Sequence, residues 1–307
     1  MGLYNHHKSQ SQSQDPIVPC SDMVGTVIFS RSQDWNSWKE GQRVTTIFNQ
    51  THLKGQVTQK DMASGLGLPL PGVLTQYRCF PAEALVAIPE YLTDEEACCL
   101  PIASTTAWMS LFGFEPKGVP QTPVKKSVLL QGTGGVSIAG LQIAHAAGMK
   151  TIITSSSDSK IEKAKALGAD EGVNYRTHPD WEEEVLRLTD GEGVDIIFEN
   201  GGALTLRKSF DCVAFGGLID CIGYLSGKED AEGDRMNTNV LALRRNVTLK
   251  GILNGPKERF EDMVGFYERE RIRPVVDRVF GFEEAREAVK CLFGGGHFGK
   301  VVVRVAS

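Results

Sequence analysis

No two cysteines stand in a CxxC spacing, and no apolar stretch approaches the roughly twenty residues of a membrane-spanning helix. The seven cysteines, at positions 20, 79, 98, 99, 212, 221 and 291, make no even framework. Cys98 and Cys99 are adjacent, which an ordinary disulfide does not easily bridge. Zinc sites gather their ligands a few residues apart, and these cysteines do not, so reduced thiols and no metal are expected. Basic blocks are missing as well. The 33 Lys and Arg are outnumbered by 38 Asp and Glu, for a formal charge of −5, which argues against nucleic acid or an anionic membrane as partner. Met1–Asp15 is polar, with a Ser-Gln repeat and no basic-then-apolar leader. The expectation is a soluble, cytoplasmic protein with a flexible stretch over residues 1–15.

What is present points to two domains. The length of 307 residues exceeds one ordinary core, and 41% apolar with 23% charged residues is the balance of a globular chain. From Ile17 to Ala87 the pattern predicts strands at Met23–Phe29, Arg43–Phe48 and Val73–Tyr77, with the Gly- and Pro-rich stretch Asp61–Gly72 as a loop. Thr93-Asp94-Glu95-Glu96 has capping-box spacing and predicts a helical start. A further helical run covers Ser104–Phe112, and Glu115–Pro123 reads as a linker. Beyond it, apolar runs at Ser127–Gln131, Thr151–Thr154, Gly172–Tyr175, Val194–Glu199, Gly217–Ile222 and Val247–Leu253 alternate with helical stretches. Six strands with helical crossovers predict an α/β fold, a doubly wound parallel sheet of the Rossmann type. Helices near Lys257–Arg271 and Phe282–Phe293 and a strand at Lys300–Val305 complete the chain.

The segment Gln131-Gly132-Thr133-Gly134-Gly135-Val136-Ser137 joins an apolar strand to a helix. Amides at such a turn are suited to a pyrophosphate: Gly132 permits the turn, and Gly134 and Gly135 let backbone approach the phosphates. Ser137 occupies the place of the third glycine in G-x-G-x-x-G, so the fingerprint is imperfect, and an unliganded strand–helix turn is the plain alternative. An NAD site places an acid at the end of the second strand for the ribose hydroxyls. Here Thr154-Ser155-Ser156-Ser157-Asp158-Ser159-Lys160 offers hydroxyls and a lysine, which suit a 2′-phosphate. The sequence therefore favours NADPH over NADH, with Asp158 as the rival ribose ligand.

The glycine turn, Ser155–Lys160, Leu167–Asp170, Asn174–Arg176, Thr105–Trp108, Gly251–Pro256 and Gly296–Lys300 together resemble the medium-chain dehydrogenase/reductase superfamily, in its zinc-independent, quinone-oxidoreductase-like branch. The resemblance runs from Ile17 to the end. It implies a truncated GroES-like β domain over 16–115 with its connecting helices, a Rossmann cofactor domain over 124–254, and a segment 255–307 that returns to the first domain. It also implies that Lys160 and Tyr175 grip the 2′-phosphate with Ser155 and Ser156. Thr106, Gly223, Tyr224, Leu253 and Asn254 would then line the cofactor with Gly132, Gly134, Gly135 and Val136. Singly, each has a plainer reading: Lys160 as a solvated helix residue, Tyr175 as a strand cap, Thr106 and Tyr224 as packing.

Zinc-type members carry Gly-His-Glu where this chain has Cys20-Ser21-Asp22, and the four-cysteine lobe is absent, so no zinc is expected. Cys20 stands where relatives keep a glycine, and a small buried residue is expected there. The strands that open the relatives have no counterpart before Gly2-Leu3-Tyr4, which leaves open an incomplete gene model, a shortened enzyme or a degenerate one. The resulting expectation is an NADPH-dependent, zinc-independent oxidoreductase moving hydride to a small carbonyl, quinone or activated alkene, with Thr106 and Tyr224 as catalytic candidates. A catalytically silent nucleotide-binding protein and an NAD(P)-dependent alcohol dehydrogenase are the alternatives. The apolar strand near Val247–Leu253 would form a sheet edge, so a homodimer is also expected.

Overall fold

The computed structural model describes residues 17–31, 38–118, 120, 122–229 and 237–305, and the stretch 1–15 expected to be flexible lies outside them. In chain order the elements are β1 (Val24–Thr26), β2 (Arg43–Thr46), α1 (Gln59–Met62), β3 (Leu85–Ala87), α2 (Asp94–Ala97), α3 (Thr105–Phe112), β4 (Ser127–Leu130) and α4 (Gly135–Ala146). There follow β5 (Lys150–Ser155), α5 (Asp158–Ala166), β6 (Glu171–Asn174), α6 (Trp181–Leu188), β7 (Val194–Glu199), α7 (Leu206–Cys212), β8 (Val213–Cys221), α8 (Thr238–Arg245) and β9 (Thr248–Gly251). The chain closes with α9 (Lys257–Glu270), β10 (Val276–Gly281), α10 (Ala285–Phe293) and β11 (Lys300–Arg304). No described helix is long and apolar enough to cross a membrane.

Six strands form one parallel sheet in the order β6-β5-β4-β7-β8-β9. Alternate residues of each strand face opposite ways, and both faces are covered. Val128, Leu130, Ile153, Ile196 and Phe198 pack with Ile138 and Leu141 of α4 and with Trp108, Phe260 and Phe266. Leu129, Ile152, Ile197 and Ile219 pack with Trp181, Val185, Phe210 and Leu241 on the other side. This is the doubly wound architecture expected. The remaining strands make a small antiparallel sheet, β1-β2-β3, and a parallel pair, β10-β11.

The Thr93 capping box forms: its side chain accepts from the Glu96 amide, and the Glu96 carboxylate accepts from the Thr93 amide. One expected strand does not form. Val73–Tyr77 stays irregular because the amides of Gly72, Val73 and Leu74 donate to carbonyls of Val18 and Pro19 in a turn-like set instead of a ladder.

Neighbouring residues across the sheet make one row of Leu130, Phe198, Asp220 and Lys250. Asp220 is fully buried in that row, and neither carboxylate oxygen has a hydrogen-bond partner. Burial pushes its carboxyl up to about 8, with the nearby Lys250 pulling the other way. The folded chain thus binds this proton more tightly than an unfolded aspartate does, near 4. Stability is present in full below about pH 4 and is lost as pH rises towards 8. Asp220→Asn removes that loss. Thermal unfolding is expected to show a gain of several degrees at about pH 8.5 that shrinks towards pH 5; equal melting temperatures at the higher pH contradict it.

Candidate functional site

β4 has β5 on one side and β7 on the other, so the strand order reverses there and a crevice opens beyond the carboxyl ends of these strands. The glycine turn sits at that point. Gly132 has φ +77°, which glycine adopts without strain, and its amide donates to Thr154 Oγ1 at 3.2 Å. Gly134 begins α4 with no side-chain cap, leaving the first amides of the helix available. A Cβ added at Gly132 or Gly134 would meet nothing within 4 Å, so both face open space. Gly135 is the opposite case: a Cβ there would lie 2.7 Å from Lys300 Cδ and 3.4 Å from Ala103 Cβ. Val136 follows it, partly buried. Ser137 explains the imperfect fingerprint. Its hydroxyl donates to the Gln131 carbonyl at 2.7 Å and closes the turn from within.

At the end of β5, Ser155 is buried and its hydroxyl accepts from the Ser157 amide at 3.3 Å. Ser156 is half-buried. Tyr175 lies beside them, its amide donating to the Ser155 carbonyl at 3.0 Å while its ring stays exposed. The Lys160 ammonium donates to the carbonyls of His297 at 2.9 Å and Gly295 at 3.2 Å, which brings the C-terminal segment to this end of the crevice. Burial draws Lys160 below its ordinary value, with Asp277 opposing. Asp158 is engaged elsewhere, accepting from Asn174 Nδ2 at 2.7 Å.

The other end is built from three separate segments. Thr106 on α3 is buried, and its hydroxyl has no hydrogen-bond partner among the described residues. Asn254 takes a left-handed backbone, φ +71°, and its Nδ2 donates to the Pro101 carbonyl at 3.0 Å, while Gly255 packs on Thr105 and Met109. Leu253 beside it is exposed. Gly223 donates its amide to the Glu199 carbonyl at 3.2 Å, and Tyr224 packs against Gly202 with the Lys228 ammonium 4.7 Å from its ring centre. Asn254 and Gly255 are thus brought to the segment Pro101–Met109 that carries Thr106, and Tyr224 to the β7 loop. Glu199, the buried carboxylate at the end of β7, was missed from the sequence. Its signal was an acid ending an apolar strand just before Asn-Gly-Gly.

The segment before β1 reaches the crevice through a salt bridge: Lys300 Nζ lies 3.0 Å from Asp22 Oδ2. Burial works against this ammonium, yet Asp22, with the neighbouring Cys99 and Cys98, holds Lys300 above the ordinary lysine value. Ser21 Oγ donates to the other oxygen of Asp22 at 3.2 Å. Cys20 has φ +66°, the conformation that a glycine would adopt freely, and it is exposed where a buried residue was expected. Among the described residues, no three His, Cys, Asp or Glu side chains come together as metal ligands. Removing one member of the Asp22–Lys300 pair leaves a poorly solvated charge. Lys300→Met is expected to cost about 1–3 kcal/mol in urea unfolding. The double variant Asp22→Asn/Lys300→Met is expected to recover part of that loss, and strictly additive losses would contradict the pairing.

Residues 3–90 match the family profile described as an alcohol dehydrogenase GroES-like domain, and residues 135–269 match that described as a zinc-binding dehydrogenase. A zinc-type alcohol dehydrogenase-like protein of Schizosaccharomyces pombe is 39% identical over 295 residues, covering 95% of this chain and 83% of the relative. Prostaglandin reductase-3 of Mus musculus is 30% identical over 254 residues, covering 76% of this chain and 65% of the relative, so the match spans just under two thirds of that protein. The crystal structure of a putative alcohol dehydrogenase from Sinorhizobium meliloti superimposes with a TM-score of 0.83 at 37% identity, over 97% of this chain and 84% of that one. A Rossmann sheet with its glycine turn at the switch point, a GroES-like portion and these likenesses make the chain a member of the medium-chain dehydrogenase/reductase superfamily of oxidoreductases.

Proposed function

We propose that this oxidoreductase uses NADPH in preference to NADH, works without zinc, and transfers hydride to a small carbonyl, quinone or activated alkene. The carrying observation is the end of β5, where Ser155 accepts from the Ser157 amide, the Tyr175 backbone meets Ser155, Lys160 follows on α5 and one oxygen of Asp158 is held by Asn174. Two of the three ammonium hydrogens of Lys160 serve backbone carbonyls, which leaves one for a phosphate oxygen. A carboxylate free at that point would repel the 2′-phosphate. The rest of the crevice fits a dinucleotide: the uncapped start of α4 suits two phosphates, and the open faces of Gly132 and Gly134 let them approach the backbone.

When bound, the reduced nicotinamide supplies the hydride. The α4 amides and Lys160 would hold the phosphates, and Gly223, Tyr224, Leu253 and Asn254 would wall the other half and restrict water. Thr106 offers a hydroxyl without a partner among the described residues, suited to a hydrogen bond with an oxygen that gains negative charge. Tyr224 is the second candidate for that contact. The zinc-independent reading is supported by the donors before β1, where Asp22 is paired with Lys300 and its neighbour Ser21 is a hydroxyl. Without a Lewis acid, a conjugated acceptor is the easier substrate, because its charge spreads away from one oxygen. The reductase name of the mouse relative accords with that direction.

A homodimer belongs to the same reading. β9 is an edge strand of the large sheet, with Leu249 exposed on it. Light scattering is expected to give twice the 33.5 kDa chain mass, and a monomeric mass at micromolar concentration argues against it. The cofactor is tested by fluorescence titration. NADPH should bind well ahead of NADH, and Lys160→Ala should weaken NADPH by roughly 10–100-fold while leaving NADH nearly unchanged. Equal losses for both cofactors would remove the 2′-phosphate assignment. A screen of enones, quinones and aldehydes with NADPH then tests the reaction.

A further inference from the structure

Glu199 is 1% exposed, yet its carboxylate accepts five hydrogen bonds. One oxygen takes the amides of Gly201 and Gly202, at 3.0 and 2.9 Å, and the Thr205 hydroxyl. The other takes Gln131 Nε2 at 2.8 Å and the Ser209 hydroxyl. Gln131 is the residue that enters the glycine turn, and its Oε1 accepts from the amides of Asn200 and Gly201 at 3.1 and 3.2 Å. Asn200 Nδ2 completes the link, donating to the Gln131 carbonyl and to Ser137 Oγ, both at 3.0 Å. The loop shaped in this way carries another. Leu225 donates to the Asn200 carbonyl at 3.0 Å, and the amide and hydroxyl of Ser226 donate to that of Gly201 at 2.7 and 2.8 Å. Gly223 and Tyr224 hang between these anchors.

We propose that Glu199 is the positioning residue of the nicotinamide half of the crevice, joining the glycine turn to the Gly223–Tyr224 wall as one unit. The inference rests on the reading of this crevice as a nicotinamide dinucleotide site. Glu199 is buried, so it acts through the two loops and not by contact with a ligand. A carboxylate is suited to the post because it offers two acceptor oxygens, and every group around it donates to it. A glutamine of the same shape would turn two N–H groups onto donors and leave some of them unmatched. The adenosine half depends on other groups, at the ends of β5 and β6.

That division makes the test selective. Adenosine 2′,5′-bisphosphate reports the adenosine half with one phosphate at the glycine turn, and NADPH reports the Gly223–Tyr224 wall as well. In calorimetric titrations of the full chain, Glu199→Gln should weaken NADPH about tenfold and the bisphosphate by less than about twofold. The emission of bound reduced nicotinamide should shift towards that of the free cofactor. General damage to the fold would instead weaken both ligands together. If Glu199→Gln does not fold, Thr205→Val removes a single donor and should weaken NADPH about threefold, with the bisphosphate again unchanged. Equal losses for both ligands, or no loss for NADPH, overturn the proposal. A wild-type chain that binds neither ligand overturns the cofactor reading and this inference with it.

Discussion

The stem of one lysine lies across the first residue of one helix, and both halves of the protein meet at that contact. Lys300 opens β11, passes over Gly135 where no Cβ would fit, and ends on the carboxylate of Asp22. Its neighbour Gly299 donates its amide to the Thr133 carbonyl at 3.0 Å, so the C-terminal segment also binds the glycine turn through the backbone. Half-buried charges gain from pairing only when both partners are present and well placed. A Cβ at position 135 would press on that lysine stem, so packing from the protein's own chain favours glycine there. The small β sheet, the C-terminal pair β10-β11 and the Rossmann sheet are tied together at the point where a pyrophosphate would lie.

Around that contact the polar groups of the crevice fall into two sets. At the β5 end stand hydroxyls and an ammonium, with one oxygen of the Asp158 carboxylate held by the Asn174 amide. At the β7 end, a buried carboxylate is surrounded by donors from the turn, the β7 loop and α7, and its charge is spent in holding backbone. The Lys160 ammonium keeps one hydrogen beyond the two carbonyls it serves. The Glu199 carboxylate is buried and meets only the protein's own donors. The difference follows from burial, since a charge can serve as a rigid joint only where water does not compete for it.

Much of the large sheet could be read from the chain. Short apolar runs separated by helical stretches dictate a parallel sheet covered on both sides, and the run Val194–Glu199 coincides with β7 to the residue. Local signals held where the physics is local, as in the Thr93 capping box. The apolar stretch Val73–Tyr77 failed as a strand because carbonyls far earlier in the chain, those of Pro19 and Cys20, took the amides of Val73 and Leu74 in a turn-like set. Likewise Ser137 reads as a defect in a glycine fingerprint until its hydroxyl is seen closing the turn on Gln131.

Residue order alone dictates the alternation of strands and helices, the glycine turn, and the hydroxyl-and-lysine character of the β5 end. These follow from hydrophobic period, turn chemistry and residue type within short windows. It takes the folded chain to bring Lys160 to the carbonyls of Gly295 and His297, Asp22 to Lys300, and Gln131, Gly201, Gly202, Thr205 and Ser209 to Glu199. The partners of a buried charge are chosen by strand order and loop closure, which bring together groups as far apart in the chain as Asp22 and Lys300. No local pattern in the sequence marks such a pair.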